Sequence, residues 1–171
     1  MRRATCCLLG LVMVFCIGHR PGDAEARTVT KHKPSVRTMF EQLDQIDKSP
    51  TLSPAKAGEL LKVTLEPVPA ESNEYFYIFK GHGGPWKEVE LRLPRGGDGS
   101  KFVLVLQLAT PVSMKEVTAH FGDTYAMESP NPSAGAHATV GYSYTRPVGK
   151  LRFSFPSFED YAARTILFDR M

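Results

Sequence analysis

The chain has 171 residues, of which 42% are apolar and 23% are charged, and these proportions exclude a wholly disordered protein. Its 21 basic and 18 acidic residues leave a formal net charge of +3, which is too balanced to indicate nucleic acid as a partner. This length accommodates one domain, or two very small ones.

A short positively charged start followed by an apolar run indicates an export signal. Arg2 and Arg3 precede the uncharged stretch 4–17, and the small-x-small sequence Ala-Glu-Ala at 24–26 fits a cleavage site. We therefore predict a signal peptide over residues 1–26 and export to the periplasm or the cell exterior. The alternative is an uncleaved membrane anchor, but the run is shorter than the roughly 20 residues that span a bilayer. No transmembrane segment is expected after cleavage.

All three cysteines, Cys6, Cys7 and Cys16, lie within the predicted signal peptide. The mature chain would therefore have no disulfide, no thiolate metal site and no cysteine nucleophile. Lipidation of Cys16 is an alternative, but a small residue is expected just before a lipidated cysteine, and Val14 and Phe15 stand there.

Residues 27–37 are predicted to form a basic N-terminal arm, and helix signals occur at three places after it. The first is a stripe of apolar residues at helical spacing: Met39, Phe40, Leu43 and Ile46. Ser53 before Pro54 predicts the N-cap and first turn of a second helix. Ser113, with Glu116 three residues later, predicts a capping box on a third helix.

Alternation of apolar and polar residues predicts the strands. The expected segments are 63–66, 75–79, 89–93, 102–108, 124–127, 140–145, 151–155 and 165–168. Segment 102–108 is the most apolar and is expected at the centre of the sheet. The tail 158–168 also fits a helix. In segment 75–79, Tyr75 and Tyr77 are candidates for the core, which leaves Phe76 and Ile78 on the other face, either covered or exposed as an adhesive patch.

The order of the elements repeats along the chain. Pro94 and Pro156 each end an alternating strand, and they lie 62 positions apart. We predict a first α/β repeat over residues 38–110 and a second over 111–171. The expected fold class is α+β, with two tandem helix-plus-antiparallel-sheet repeats that form one continuous sheet with helices on one face.

One stretch of the second repeat resembles known families. Ser113-Met114-Lys115-Glu116-Val117 leads to His120-Phe121-Gly122 and then to the aromatic strand Tyr142-Ser143-Tyr144. Together with the tandem organisation, this pattern resembles the β-lactamase-inhibitor-protein-like fold, and single units are similar to small envelope proteins of the BamE/SmpA type. The first repeat departs from the pattern, because Leu61-Lys62 stands where Phe-Gly would be. The resemblance covers about residues 38–171 and implies a protein-binding concave sheet rather than a catalyst.

Catalytic and metal-binding patterns are absent from the sequence. The mature histidines are His32, His82, His120 and His137, and no pair has the i, i+4 spacing of a helical metal site. An orienting carboxylate would support a catalytic base, but none lies near them in the sequence. We therefore expect no catalytic residue, no metal and no cofactor. A small hydrolase whose histidines and carboxylates meet only on folding remains an alternative.

The predicted partner-binding residues are His82, Trp86, Glu88, Glu90, Arg92, Lys150 and Arg152. Glu88, Glu90 and Arg92 share one face of a strand, and Lys150 and Arg152 occupy the matching face of the second repeat. An acidic half and a basic half on one sheet would orient a protein partner. The turn 82–86 is expected to protrude, with Trp86 as a contact residue. The alternatives are a solvated sheet face and a tryptophan that fills the edge of the core.

These patterns favour an exported, non-catalytic protein-binding module. Its most specific form is an inhibitor or immunity-type protein that acts on a periplasmic or extracellular enzyme. The first alternative is an assembly or structural component of the envelope, whose basic arm docks on membrane or cell wall. The hydrolase is the second alternative.

Overall fold

The structure is a computed structural model, and it describes residues 35–129, 139–147, 149–156 and 162–171. The predicted signal peptide, the arm up to residue 34, and His32 and His137 lie outside these ranges. The elements in chain order are α1 (Val36–Asp47), α2 (Pro54–Leu61), β1 (Glu66–Pro67), β2 (Phe76–Gly83), β3 (Trp86–Pro94), β4 (Phe102–Ser113), α3 (Met114–Phe121), β5 (Ala126–Glu128), β6 (Val140–Arg146), β7 (Gly149–Phe155) and β8 (Ala162–Arg170).

Helices α2 and α3 begin where the capping residues predict, whereas α1 begins at Val36, inside the range predicted as the arm. The Ser53 hydroxyl accepts a hydrogen bond from the backbone N–H of Lys56, with Pro54 in the first turn. Ser113 and Glu116 form the predicted capping box at the start of α3, and Gly122 follows its last residue. The predicted stripe of α1 is buried, because Met39, Phe40, Leu43 and Ile46 face the core.

All eight strands belong to one sheet, in the order β1-β2-β3-β4-β8-β7-β6-β5. Every paired neighbour is antiparallel, and the mixture of helices with a large antiparallel sheet confirms the α+β class. From the central pair β4–β8, each half of the sheet runs outward in reverse chain order. Segment 102–108 therefore lies at the centre of the sheet, as predicted.

The core lies against one set of alternating strand positions. Leu91, Leu104 and Phe168 are fully buried and pair in register across β3, β4 and β8. The ring of Phe40 from α1 and the ring of Phe121 from α3 both contact the ring of Phe153 on β7. Because burial of apolar surface is the main favourable term in folding, this core is what positions the remaining strand side chains.

Several boundaries differ from the sequence-based expectations. The first short strand is Glu66–Pro67 rather than 63–66. β2 continues through Gly83, so the turn expected at 82–86 shrinks to Gly84 and Pro85. The described part of the tail is a strand, so a helix over 162–168 is wrong. β4 extends past Pro111, which is tolerated because the register with β8 shifts between Gln107 and Val112.

The aromatic segment of β2 is buried in the opposite sense to that expected. Tyr75 and Tyr77 are 66% and 45% exposed, whereas Ile78 is only 7% exposed. The segment after β1 lies against this part of the strand, because the backbone N–H of Val68 donates to the carbonyl of Ile78. The N–H of Ile78 in turn donates to the Ser72 hydroxyl. The patch expected at Ile78 is therefore covered by the chain itself.

Candidate functional site

The strand positions that alternate with the core residues form a second set of cross-strand rows, which we call the polar face. Its central row is Glu90, Val105, Leu167 and Arg152, and each residue pairs in register with the next across β3, β4, β8 and β7. Successive residues of a strand point to opposite faces, so these four side chains point away from the buried residues beside them. Val105 and Leu167 are half-buried, which gives the row an apolar centre between two charged ends.

The β3 end of the polar face is an ion-pair cluster centred on Lys80. Nζ of Lys80 lies 2.6 Å from Glu71, 3.3 Å from Glu90 and 3.7 Å from Glu88. Hydrogen bonding to the Glu71 carboxylate is the largest cause that raises the pKa of Lys80 well above its ordinary value. Arg92 donates from Nε to Glu90. Three carboxylates against two cations leave one formal negative charge.

At the β7 end of the polar face, positive charges outnumber negative ones among the ion-paired residues. Glu128 at the end of β5 pairs with Lys150 and with Arg152, so two cations face one carboxylate. The hydrogen bond from Lys150 is the largest cause that lowers the pKa of Glu128. The predicted acidic and basic halves thus each contain counter-charges that the sequence reasoning missed. Asp169 is the backbone register partner of Lys150 across β8 and β7.

A glycine fixes the position of the Arg152 side chain. A Cβ atom on Gly141 would overlap the guanidinium of Arg152, and Ser143 is the register partner of Arg152 on β6. Since Gly141 adds no side chain, the guanidinium lies along the sheet rather than projecting from it. At this end of the central row, the Arg152 side chain therefore stays close to the surface of the sheet.

Trp86 is a core residue, which corrects the expectation of a protruding contact. It is 2% exposed and belongs to the same buried cluster as Val89 and Leu108. His82 is exposed near the end of β2. Of the seven predicted partner-binding residues, the structure therefore brings Glu88, Glu90 and Arg92 together on β3. It brings Lys150 and Arg152 together on β7, with β4 and β8 between the two groups.

A separate polar cluster joins α1 to the second half of the sheet. Nε2 of His120 lies 2.8 Å from Oδ2 of Asp44. Arg146 donates to Asp44 through its terminal nitrogen and to Asp47 through Nε, both at 3.0 Å. The side chain of Asp47 is 6% exposed, and its Oδ1 has no hydrogen-bond partner among the described residues. Folding thus brings a carboxylate from another helix, Asp44 of α1, into contact with His120.

Two features are absent from the described ranges. No group of three or more His, Cys, Asp or Glu side chains there is arranged to hold a metal ion. None of the three helices has the length and hydrophobicity needed to cross a bilayer.

Comparison of the chain with protein-family models, with curated proteins and with solved structures found no match.

Proposed function

We propose that this chain is an exported, non-catalytic protein-binding module that uses the polar face to bind its partner. Its most specific form is an inhibitor or immunity-type protein that acts on a periplasmic or extracellular enzyme. The observation that carries the proposal is the central row, in which half-buried Val105 and Leu167 lie between the charged ends at Glu90 and Arg152. An apolar centre with a polar rim is the usual anatomy of a protein interface.

The proposal includes a finer description of the fold. The element orders α2-β1-β2-β3-β4 and α3-β5-β6-β7-β8 support a tandem duplication of one helix-plus-sheet unit. The contacts of Phe40 and Phe121 with Phe153 support a layer of helices on the core side of the sheet. In this arrangement the polar face is the side left for a partner.

The test begins with full-length chain that carries a C-terminal tag and is expressed in bacteria. Mass spectrometry of the secreted or periplasmic protein is expected to give an N-terminus at residue 27. The tagged protein is then used to capture partners from envelope and culture-fluid extracts. We expect one enzyme at near-equal stoichiometry, and we expect its activity to fall when the purified protein is titrated in.

Two matched variants test whether the polar face is the binding surface. Val105→Glu places a charge in the apolar centre of the polar face and should abolish both capture and inhibition. Ala55→Glu is the control, because Ala55 is an exposed residue of α2, away from the polar face, and the change in charge is identical. Equal capture by the two variants would contradict the polar face as the binding surface. Capture of outer-membrane or cell-wall machinery without inhibition would favour the assembly role instead.

The contact between His120 and Asp44 favours one second candidate, a small hydrolase. A carboxylate that hydrogen-bonds a histidine orients the ring, as a general base requires. A panel of ester, amide and phosphodiester substrates tests this candidate. Turnover that is present in the wild type and lost in His120→Ala would support it.

A further inference from the structure

We propose that the polar face is self-complementary, so that two copies of this chain pair face to face until another protein displaces one of them. This inference rests on the proposed function, because it names a second occupant of the same surface. The charges at the two ends of the central row are opposite, and its two middle positions are both apolar. A surface with that pattern is complementary to the same surface of a second copy rotated by a half-turn.

The register defines the half-turn. A two-fold axis parallel to the strands, lying between β4 and β8, exchanges β3 with β7 and β4 with β8. Glu90 of one copy then faces Arg152 of the second copy, and Val105 faces Leu167 of the second copy. The same contacts recur on the other side of the axis, as a two-fold interface requires.

The neighbouring rows are compatible with this pairing. In one row, Gln107 of one copy meets Thr165 of the second copy, which pairs two hydrogen-bonding side chains. Glu88 lies at the end of that row, and its 38% exposed side chain lies one row from Arg152 of the second copy. In the third row, Arg92 lies opposite Lys150 of the second copy at the rim. Both cations are exposed to solvent and each has a carboxylate partner in its own chain, Glu90 for Arg92 and Glu128 for Lys150.

The net charges of the two ends also match. The cluster of Glu71, Lys80, Glu88, Glu90 and Arg92 carries one excess negative charge. The ion-paired group of Glu128, Lys150 and Arg152 carries one excess positive charge. Complementary potentials of this kind fix the orientation and suppress wrong pairings. The pairing would cover Val105 and Leu167 while no other partner is present.

Charge reversal with rescue tests the inference. Sedimentation equilibrium on the purified full chain is expected to show a monomer–dimer equilibrium. Glu88→Arg and Arg152→Glu should each weaken the dimer about tenfold or more, because each places like charges across the two-fold axis. A mixture of the two variants should restore dimerisation, because both inter-copy contacts then join opposite charges. Glu59→Arg on α2 and Arg37→Glu on α1 are exposed controls and should leave the dimer unchanged.

The outcomes separate this inference from the proposed function. A wild-type chain that stays monomeric throughout, or single variants that dimerise like the wild type, overturns the self-pairing. Partner capture in that case leaves the proposed function intact. A dimer that forms and is rescued as described supports the self-pairing even where no enzyme is captured. Thermal unfolding of each variant checks that it is folded, and the mixture shows that the loss in each single variant comes from the contact between copies.

Discussion

His120 and Asp44 lie 76 positions apart in the chain, and Nε2 of the histidine meets Oδ2 of the aspartate at 2.8 Å. The contact joins α3 to α1, and the ring of Phe40 on α1 also packs 5.0 Å from the imidazole ring. A charged hydrogen bond and a ring contact therefore act between the same two helices.

This contact should be measurable as a coupling energy. A double-mutant cycle with Asp44→Asn and His120→Ala is expected to give about 1 kcal/mol near pH 6, because both side chains are partly exposed and solvent screens the pair. Urea unfolding of the four proteins supplies the free energies of unfolding. Additive effects of the two substitutions would show that the pair does not contribute to stability.

Removing Arg146 should be more costly than removing an ordinary surface arginine. Arg146→Ala leaves the Asp47 carboxylate buried without its counter-charge, and we expect a loss of roughly 3 kcal/mol in the free energy of unfolding. Arg37→Ala is the control, because its ion pair with Glu41 is exposed and should contribute less than about 0.5 kcal/mol. Equal losses in the two variants, measured by urea unfolding, would contradict the importance of the Asp47 contact.

Glu116 should make part of the stability depend on pH. Hydrogen bonds from the hydroxyl and the backbone N–H of Ser113 lower the pKa of Glu116 below its ordinary value of 4.5. A lowered folded-state pKa contributes stability above the unfolded value and loses it as the pH falls through the folded value. The difference in unfolding free energy between wild type and Glu116→Gln should therefore shrink in acid. A difference that stays constant from about pH 6 to pH 3 would contradict this assignment.

Two glycines allow a comparison of backbone and side-chain overlap. A Cβ atom on Gly81 would overlap the backbone carbonyl oxygen of Thr64, whereas one on Gly141 would overlap only the Arg152 side chain. We expect Gly81→Ala to cost about 2 kcal/mol, because the backbone of the 64–65 segment has to shift. Gly141→Ala should cost less than about 1 kcal/mol in stability, since the guanidinium can turn away. The urea midpoints of the two variants show which substitution costs more stability. A larger loss in Gly141→Ala than in Gly81→Ala would contradict the prediction.

What the sequence could predict depended on how far apart the interacting residues lie. Capping contacts such as Ser113 with Glu116 are local, so the starts of α2 and α3 were predictable. The core positions of β3 and β7 followed from alternation, because one face of a strand has to be buried. The burial of Trp86 was not predictable, since an aromatic residue after a turn suits the surface and the core equally.

The candidate sites show the same dependence on distance. Glu88 and Glu90 could be placed on one face from their spacing. Lys80 joins them through the β2–β3 register, which the turn expected at 82–86 obscured. Glu128 meets Lys150 across β5, β6 and β7, and Asp44 meets His120 across two helices. Tertiary packing determines these contacts, and the local sequence does not indicate them.

The pairing of β4 with β8 also governs the order in which the chain can assemble. The hairpins β2–β3 and β6–β7 join residues that are close in sequence, whereas Phe102 pairs with Arg170 across most of the second half. Contacts between distant positions form late, because a long loop must first be closed. During folding, β4 would therefore expose an unpaired backbone edge until residues 162–170 have docked beside it. In that interval a chaperone that binds extended strands, or a second unfolded chain, would have access to the edge.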